Sequence, residues 1–410
     1  MRLRRKTLSA FVFWAILLSS DAFGVSSARS DDPILLAYPV DHWVDASAEN
    51  ISVDLASVNT LFNLSFQDSS TQGVALFIKG RLVDERYADG FNKDSFATSW
   101  SMAKSFYAAL IGISIDRGEI SSLDNKVSQY LHGFKDDRRD ITLRQLLNMT
   151  SGLEMPADEH EKMFFMKDHL AYAKNVGHEK EPGKRFEYNN VNSMLLADIL
   201  FQATGISADI LLRERILNKI GMDNVTLWKD SVGNALTYCC IDTTVRQYAR
   251  FGLLFARGGK WQDQQIIPRQ FVDQTFQFES GDTPNNNLQI QRGYSMHWWI
   301  SRYQKDAKIF NAKGKFGQYM LVDPENDTVF VRVTKYHPTG GDVIDWGPLR
   351  WVNQFGSVEF RRKLATFIAR IGLVDIHSDV SAPMTFDDGV SNEFETNYEA
   401  IIDALVALHQ

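Results

Sequence analysis

Apolar residues recur at spacings of three and four through positions 101–117, at Met102, Phe106, Leu110 and Ile113. That period predicts a helix, and Gly118 is placed to end it. Before it, residues 73–87 carry two short apolar runs around Lys79-Gly80, the pattern of a β-hairpin. After it, Thr142 begins a second helix that runs through Leu147 and is stopped by Ser151-Gly152. Residues 192–204 read as a helix ending at Gly205, and residues 243–257 as another closed by Gly258-Gly259. The pattern then turns to strands. Residues 294–300 and 319–322 are aromatic and apolar, Asp323-Pro324-Glu325-Asn326-Asp327 is a turn, and residues 328–333 return as a strand. Residues 359–371 predict an amphipathic helix ending at Gly372. Residues 374–392 are polar, 393–409 read as a last helix, and 29–50 are irregular. Strands thus open and close the chain while helices fill its middle. This predicts an α+β body whose sheet is completed from both ends, with a helical insertion.

Composition narrows the function. With 44% hydrophobic and 23% charged residues, wholesale disorder is excluded. A formal net charge of -7 argues against a nucleic-acid partner, which needs clustered Lys and Arg. Two cysteines build neither a disulfide framework nor a four-cysteine zinc site. They are adjacent, Cys239-Cys240, and read either as a vicinal disulfide or as buried thiols packing as small apolar groups. The N-terminus has the form of a secretory leader: MRLRRK, an apolar run at 8–18, and Ser26-Ser27-Ala28 as a cleavage site. Residues 1–28 are expected to be removed, leaving a periplasmic or secreted protein with no membrane span. An uncleaved signal anchor, tethering the chain to the membrane, is the alternative.

Three short stretches carry candidate chemistry. Ser101-Met102-Ala103-Lys104 opens the first helix, and a spacing of three puts Ser101 and Lys104 on one face. A serine hydroxyl needs a base or a neighbouring charge to become a nucleophile. Lys104 supplies either, and the helix N-terminus adds free N–H groups. Tyr188-Asn189-Asn190 comes second. Tyr188 would relay a proton to a leaving group if a neighbouring cation lowered its pKa, and Asn190 would hydrogen-bond a substrate carbonyl. The third runs from Ala312 through Lys313, Gly314, Lys315, Phe316 and Gly317 to Gln318. Gly314 lets a substrate backbone approach a strand edge, and the next N–H, that of Lys315, would pair with that of Ser101 as an oxyanion hole. Each stretch alone is ordinary: a helix cap, a turn, a softened strand.

In this order and at these separations the three resemble the motif set of the serine β-lactamase and penicillin-recognising family, in its class C-like branch. The resemblance covers roughly residues 70–370. It includes residues 141–153, Arg250-Phe251-Gly252-Leu253-Leu254 and Gly258-Gly259-Lys260-Trp261. Cys239-Cys240, Trp298-Trp299 and Phe316-Gly317-Gln318 look most like 6-aminohexanoate-dimer hydrolase-like and esterase-like members. The resemblance implies a β-lactamase-like antiparallel sheet flanked by helices. It implies a hydrolase domain over 29–375 with a helical subdomain at roughly 125–285, and a C-terminal tail at 376–410. It implies catalysis by Ser101, Lys104 and Tyr188, with Asn190, Gly314 and Lys315 binding substrate, on a small or short peptide-like molecule. No metal or cofactor is implied. The expected activity is acyl-enzyme hydrolysis of a linear amide or carboxylic ester. β-Lactamase or D-amino-acid peptidase activity, and a non-catalytic β-lactam-binding or peptide-binding protein, are the alternatives.

One departure bears on that choice. Ala312 stands where the family usually has Lys or His, the cation that holds a substrate carboxylate. Lys313 and Lys315 are the nearest substitutes, although alternation along a strand turns Lys313 away. Three further groups have a functional and a plain reading. Trp298, Trp299 and Tyr294 line an acyl pocket or form strand core. Glu154, Asp158, Glu159 and Glu161 meet a cationic substrate end or form a solvated loop. His297 is read as a packed or surface imidazole rather than a base.

Overall fold

Hydrophobic alternation along the strands accounts for the centre of the molecule. In the computed structural model the described residues are 36–39, 42–46, 51, 53–155, 162–277, 293–304, 307–335, 342–345, 375–378, 392–410 and seven single positions between 349 and 368. They belong to one compact unit, Leu36–Gln410. Among them the main sheet has eight strands: β1 (Val44–Asp45), β2 (Thr71–Ile78), β3 (Arg81–Tyr87), β4 (Tyr294–Ser295), β5 (Trp298–Gln304), β6 (Ala307–Gly314), β7 (Gln318–Asp323) and β8 (Thr328–Thr334). Their order is β1-β3-β2-β8-β7-β6-β5-β4, so the two chain ends meet where β2 pairs with β8.

The expected hairpin at Lys79-Gly80 is present. Both residues have positive φ, 51° and 74°, as a two-residue type I′ turn demands. The expected antiparallel sheet is present, with one parallel pairing at its edge, that of the short β1 with β3. The single strand read at 294–300 is two, because Met296 and His297 fold back between β4 and β5. The polar stretch at 374–392 also holds a short strand, Asp375–Ser378, paired with Asp342–Asp345.

Both faces of the sheet are covered. Val74, Leu76, Ile78, Leu321 and Phe330 pack with Val58, Leu61 and Phe62 of α1 (Leu55–Ser65), and with Phe394, Tyr398, Ile401 and Ile402 of the C-terminal helix Asn392–Ala407. The intervening Ala75, Phe77, Met320, Val329 and Val331 join the larger core of the opposite face. That core holds α2 (Ala103–Asp116), α3 (Leu143–Leu147), α4 (Asn190–Met194), α5 (Leu196–Thr204) and α6 (Val245–Ala256). Helix α3 starts on a capping box, with the Thr142 hydroxyl accepting from Gln145 N–H and the Gln145 side chain accepting from Thr142 N–H. The helix read at 192–204 is the pair α4–α5, closed by Gly205 at φ 74°. Helix α1 escaped the sequence reading. Of the helix expected at 359–371, the described positions are helical and the rest lies outside the described residues, as does the N-terminal leader. No single described helix is long and apolar enough to cross a membrane.

One buried ion pair ties the sheet to the loop after β6. Arg332 Nη2 donates to Asp68 Oδ2 at 2.7 Å, and Nη1 to the Gly317 carbonyl at 2.7 Å, with both charged side chains 2% exposed or less. Removing one partner leaves an uncompensated buried charge. Asp68→Ala is therefore expected to cost about 3–5 kcal/mol in urea unfolding. A change under about 1 kcal/mol, no more than an exposed pair contributes, would show that water already solvates the pair.

Candidate active site

Ser101 lies at a junction that the backbone reaches only through strain. The strand Ala97–Thr98 pairs with Ile241–Thr243, and Ser99 binds Ile241 twice, by N–H to carbonyl and by its hydroxyl from Ile241 N–H. Trp100 then takes φ 48°, a left-handed conformation costly for a bulky residue, and the turn Trp100–Met102 runs directly into α2. Ser101 is thereby left half-exposed at the start of a helix whose next fourteen residues are almost all buried.

Lys104 lies one turn on, 1% exposed. Its Nζ is 2.8 Å from Ser101 Oγ and 2.7 Å from the Tyr238 carbonyl. Burial drives its pKa well below the usual lysine range, because the charged form is desolvated. Tyr188 completes the group. Its hydroxyl is hydrogen-bonded to the Ser101 side chain, and its ring lies 5.1 Å from Lys104 Nζ. The lowered pKa on which a Tyr188 proton relay is conditioned is not found. Desolvation by burial raises the pKa, against a smaller lowering from the hydrogen bond with Ser101. Tyr188 is therefore a phenol at neutral pH, a donor rather than a base.

The third stretch is brought alongside. Gly314, the last residue of β6, lies so close to the Ser99 carbonyl that a Cβ would collide with it. Only glycine lets the strand end approach the backbone before Ser101 this closely. Lys315 follows in a short turn that carries Phe316 at φ 63°, with the Phe316 ring 4.9 Å from that of Trp100. Arg332 holds the turn through Gly317, which is how the buried ion pair reaches the site. Asn189 caps α4, accepting from Val191 N–H at 2.9 Å, and Asn190 heads that helix half-buried, two residues past Tyr188.

Aromatic rings flank this group on two sides. Trp299 stacks on Tyr188 at 5.5 Å, Tyr294 meets Tyr188 edge-on at 5.9 Å, and Phe186 touches both Tyr294 and Trp299. On the other side Trp100 lies against Phe164 and Phe316. Trp298 does not join them. It points into the core against Phe251, Phe255 and Phe276, as alternation along β5 requires. The Lys313 Nζ lies among aromatic rings, 4.5 Å from that of Phe394, 4.7 Å from that of Tyr398 and 5.9 Å from that of Trp299. Ala312, fully buried, keeps the position of the usual cation uncharged. The Glu154 carboxylate accepts from Gly177 N–H, a loop contact; 156–161 lie outside the described residues.

Tyr238 and Phe164 were not singled out from sequence. A carbonyl acceptor such as that of Tyr238 leaves no side-chain signature. Its one hint is position, because Tyr238 immediately precedes Cys239 and Cys240, which are joined as a vicinal disulfide. Cys240 N–H in turn donates to the Trp100 carbonyl at 3.3 Å, so this segment braces both sides of Ser101.

A serine on a helix start, a buried lysine three residues on and a tyrosine phenol at the serine oxygen define a class of acyl-transfer site. The family model for Beta-lactamase matches residues 67–353, and the chain belongs to that family of serine hydrolases. A D-aminopeptidase of Brucella anthropi is 30% identical over 139 residues, 32% of this chain and 26% of that protein. The chain thus matches about a quarter of that curated relative's length. A Bacillus anthracis structure named for 6-aminohexanoate-dimer hydrolase superposes with TM-score 0.65 at 20% identity, covering 92% of this chain and 91% of that one. A D-stereospecific amidohydrolase from Streptomyces sp. gives TM-score 0.54 at 17% identity, covering 68% and 94%. Likeness at these identities is a likeness of fold.

Proposed function

We propose that the chain hydrolyses a linear amide or carboxylic ester with an uncharged, apolar acyl part, through an acyl-enzyme on Ser101. The observation that carries this reading is the 2.8 Å contact between Ser101 Oγ and the buried Lys104 amine. In its neutral form that amine takes the Ser101 proton as Oγ bonds to the substrate carbonyl carbon. The carbonyl electron pair moves to oxygen, where the N–H groups of Ser101 and Lys315 hold the oxyanion. Collapse of the tetrahedral adduct breaks the C–N or C–O bond. Tyr188 gives its proton to the leaving group and recovers one from the Lys104 ammonium. Water repeats the sequence on the acyl-enzyme, releasing the acid and restoring Ser101. Asn190 orients the substrate carbonyl. The leader-like N-terminus supports a place outside the cytoplasm.

The aromatic flanks and the uncharged Ala312 support the apolar substrate class. A missing charge-assisted contact is worth about 2–3 kcal/mol, or roughly 100-fold. p-Nitrophenyl butyrate or octanoate is expected to exceed nitrocefin and a D-Ala-D-Ala peptide in kcat/KM by about that factor. A preference for either carboxylate-bearing substrate would instead favour the peptidase or β-lactamase reading, for which the D-aminopeptidase relative is the argument.

A further inference from the structure

Met296 and His297 form the two-residue turn between β4 and β5, with φ 46° and 64°. Such turns favour Asn-Gly, because both positions are left-handed and strain ordinary side chains. Here the turn is also buried, with each residue 2% exposed. Strain of this kind persists where the surroundings over-determine it. Three elements do so. Met296 N–H donates to Asn148 Oδ1 at 2.9 Å, and His297 N–H to the Leu147 carbonyl at 3.0 Å, both at the end of α3. The His297 carbonyl accepts from Ser105 Oγ at 2.7 Å, and Ser105 is the residue after Lys104 on α2. The imidazole then bridges outward. Its Nε2 is 3.0 Å from Ser193 Oγ on α4, and its Nδ1 is 3.4 Å from Tyr294 Oη. Tyr294 is the ring set edge-on to Tyr188.

Resting on the hydrolase reading above, we propose that His297 is a positioning residue. It ties the helix of Lys104 to the Tyr294–Tyr188 pair, fixes the geometry of Ser101, Lys104 and Tyr188, and keeps water out beneath the lysine. The ring does not itself transfer protons. Burial and the nearby Lys104 charge hold it uncharged, with a pKa down to about 3. The titratable groups facing it are Lys104 from α2 and Tyr294 from its own hairpin; α3 and α4 present the uncharged Asn148 and Ser193.

The test is the second-order rate of Ser101 labelling by a fluorophosphonate across pH, for wild type, His297→Ala, His297→Gln and Tyr294→Phe, each checked for folding by circular dichroism. His297→Ala is expected to lower the plateau rate about 10-fold. It should also move the acid limb to higher pH, since water admitted beneath Lys104 raises the amine pKa toward its ordinary value. His297→Gln, which can still reach Ser193, should recover part of both. Tyr294→Phe, which removes only the hydroxyl at Nδ1, should shift both in the same direction by less, and it carries the test if His297→Ala fails to fold. Folded variants whose plateau and acid limb match wild type would overturn the proposal, even if their melting temperatures fall. Wild type that takes no label would overturn the hydrolase reading and this inference with it.

Discussion

Lys104→Met is expected to lower kcat by about three orders of magnitude or more, while leaving the fold at least as stable as wild type. A positioned general base contributes roughly 10²–10⁴-fold, and no other amine lies against Ser101 Oγ among the described contacts. The stability half follows from burial. The folded-state pKa of Lys104 lies well below 10.5, its ordinary value, because the charged form is desolvated. Between those two values the unfolded chain binds more protons than the folded one, so stability rises with pH across that window. Below the folded pKa the full penalty is present. Methionine removes it at nearly the same volume, so Tm at neutral pH should hold or rise. The same depressed pKa sets the wild-type rate profile. Activity rises with pH as the amine loses its proton, then levels off well below pH 10.5. Lys104→Arg keeps a permanent charge, so it should lose as much activity and also lose stability. A Lys104→Met enzyme within 10-fold of wild type, or an acid limb near pH 10, would remove the lysine from the role of base.

Ser101→Ala carries the other large effect: a fall in kcat by about four orders of magnitude or more, with KM little changed. Among the described residues, neither the cysteines nor His297 stands ready as a second nucleophile. Cys239 and Cys240 are joined to each other, and His297 is buried behind Lys104. The Tyr238 carbonyl still accepts from Lys104, so the variant should fold as wild type. Steady-state rates on p-nitrophenyl butyrate, beside a circular dichroism melt, check both halves.

How much of this was legible before the structure depends on whether the signal is local. The hairpin at Lys79-Gly80, the helix start at Thr142, and the terminator Gly205 are short-range chemistry, and each stands where the pattern put it. Ser101 and Lys104 share a helix face by spacing alone, so their contact was readable too. Tyr188 joins them from 84 positions beyond Lys104, and only the order of motifs pointed to it. Its raised pKa was not readable, since burial by distant rings belongs to the fold. The Met296–His297 turn stayed hidden because neither residue carries turn chemistry, and a mostly aromatic and apolar run reads as one strand. The same error pointed Trp298 and Trp299 together, whereas adjacent strand residues part to opposite faces.

The most direct test of an activated Ser101 is intact-protein mass after incubation with a fluorophosphonate, on wild type and on Ser101→Ala. One adduct per wild-type chain, mapped to the peptide carrying Ser101 and absent from the variant, is the predicted result. Equal labelling of the two proteins, or no labelling of folded wild type, would contradict it.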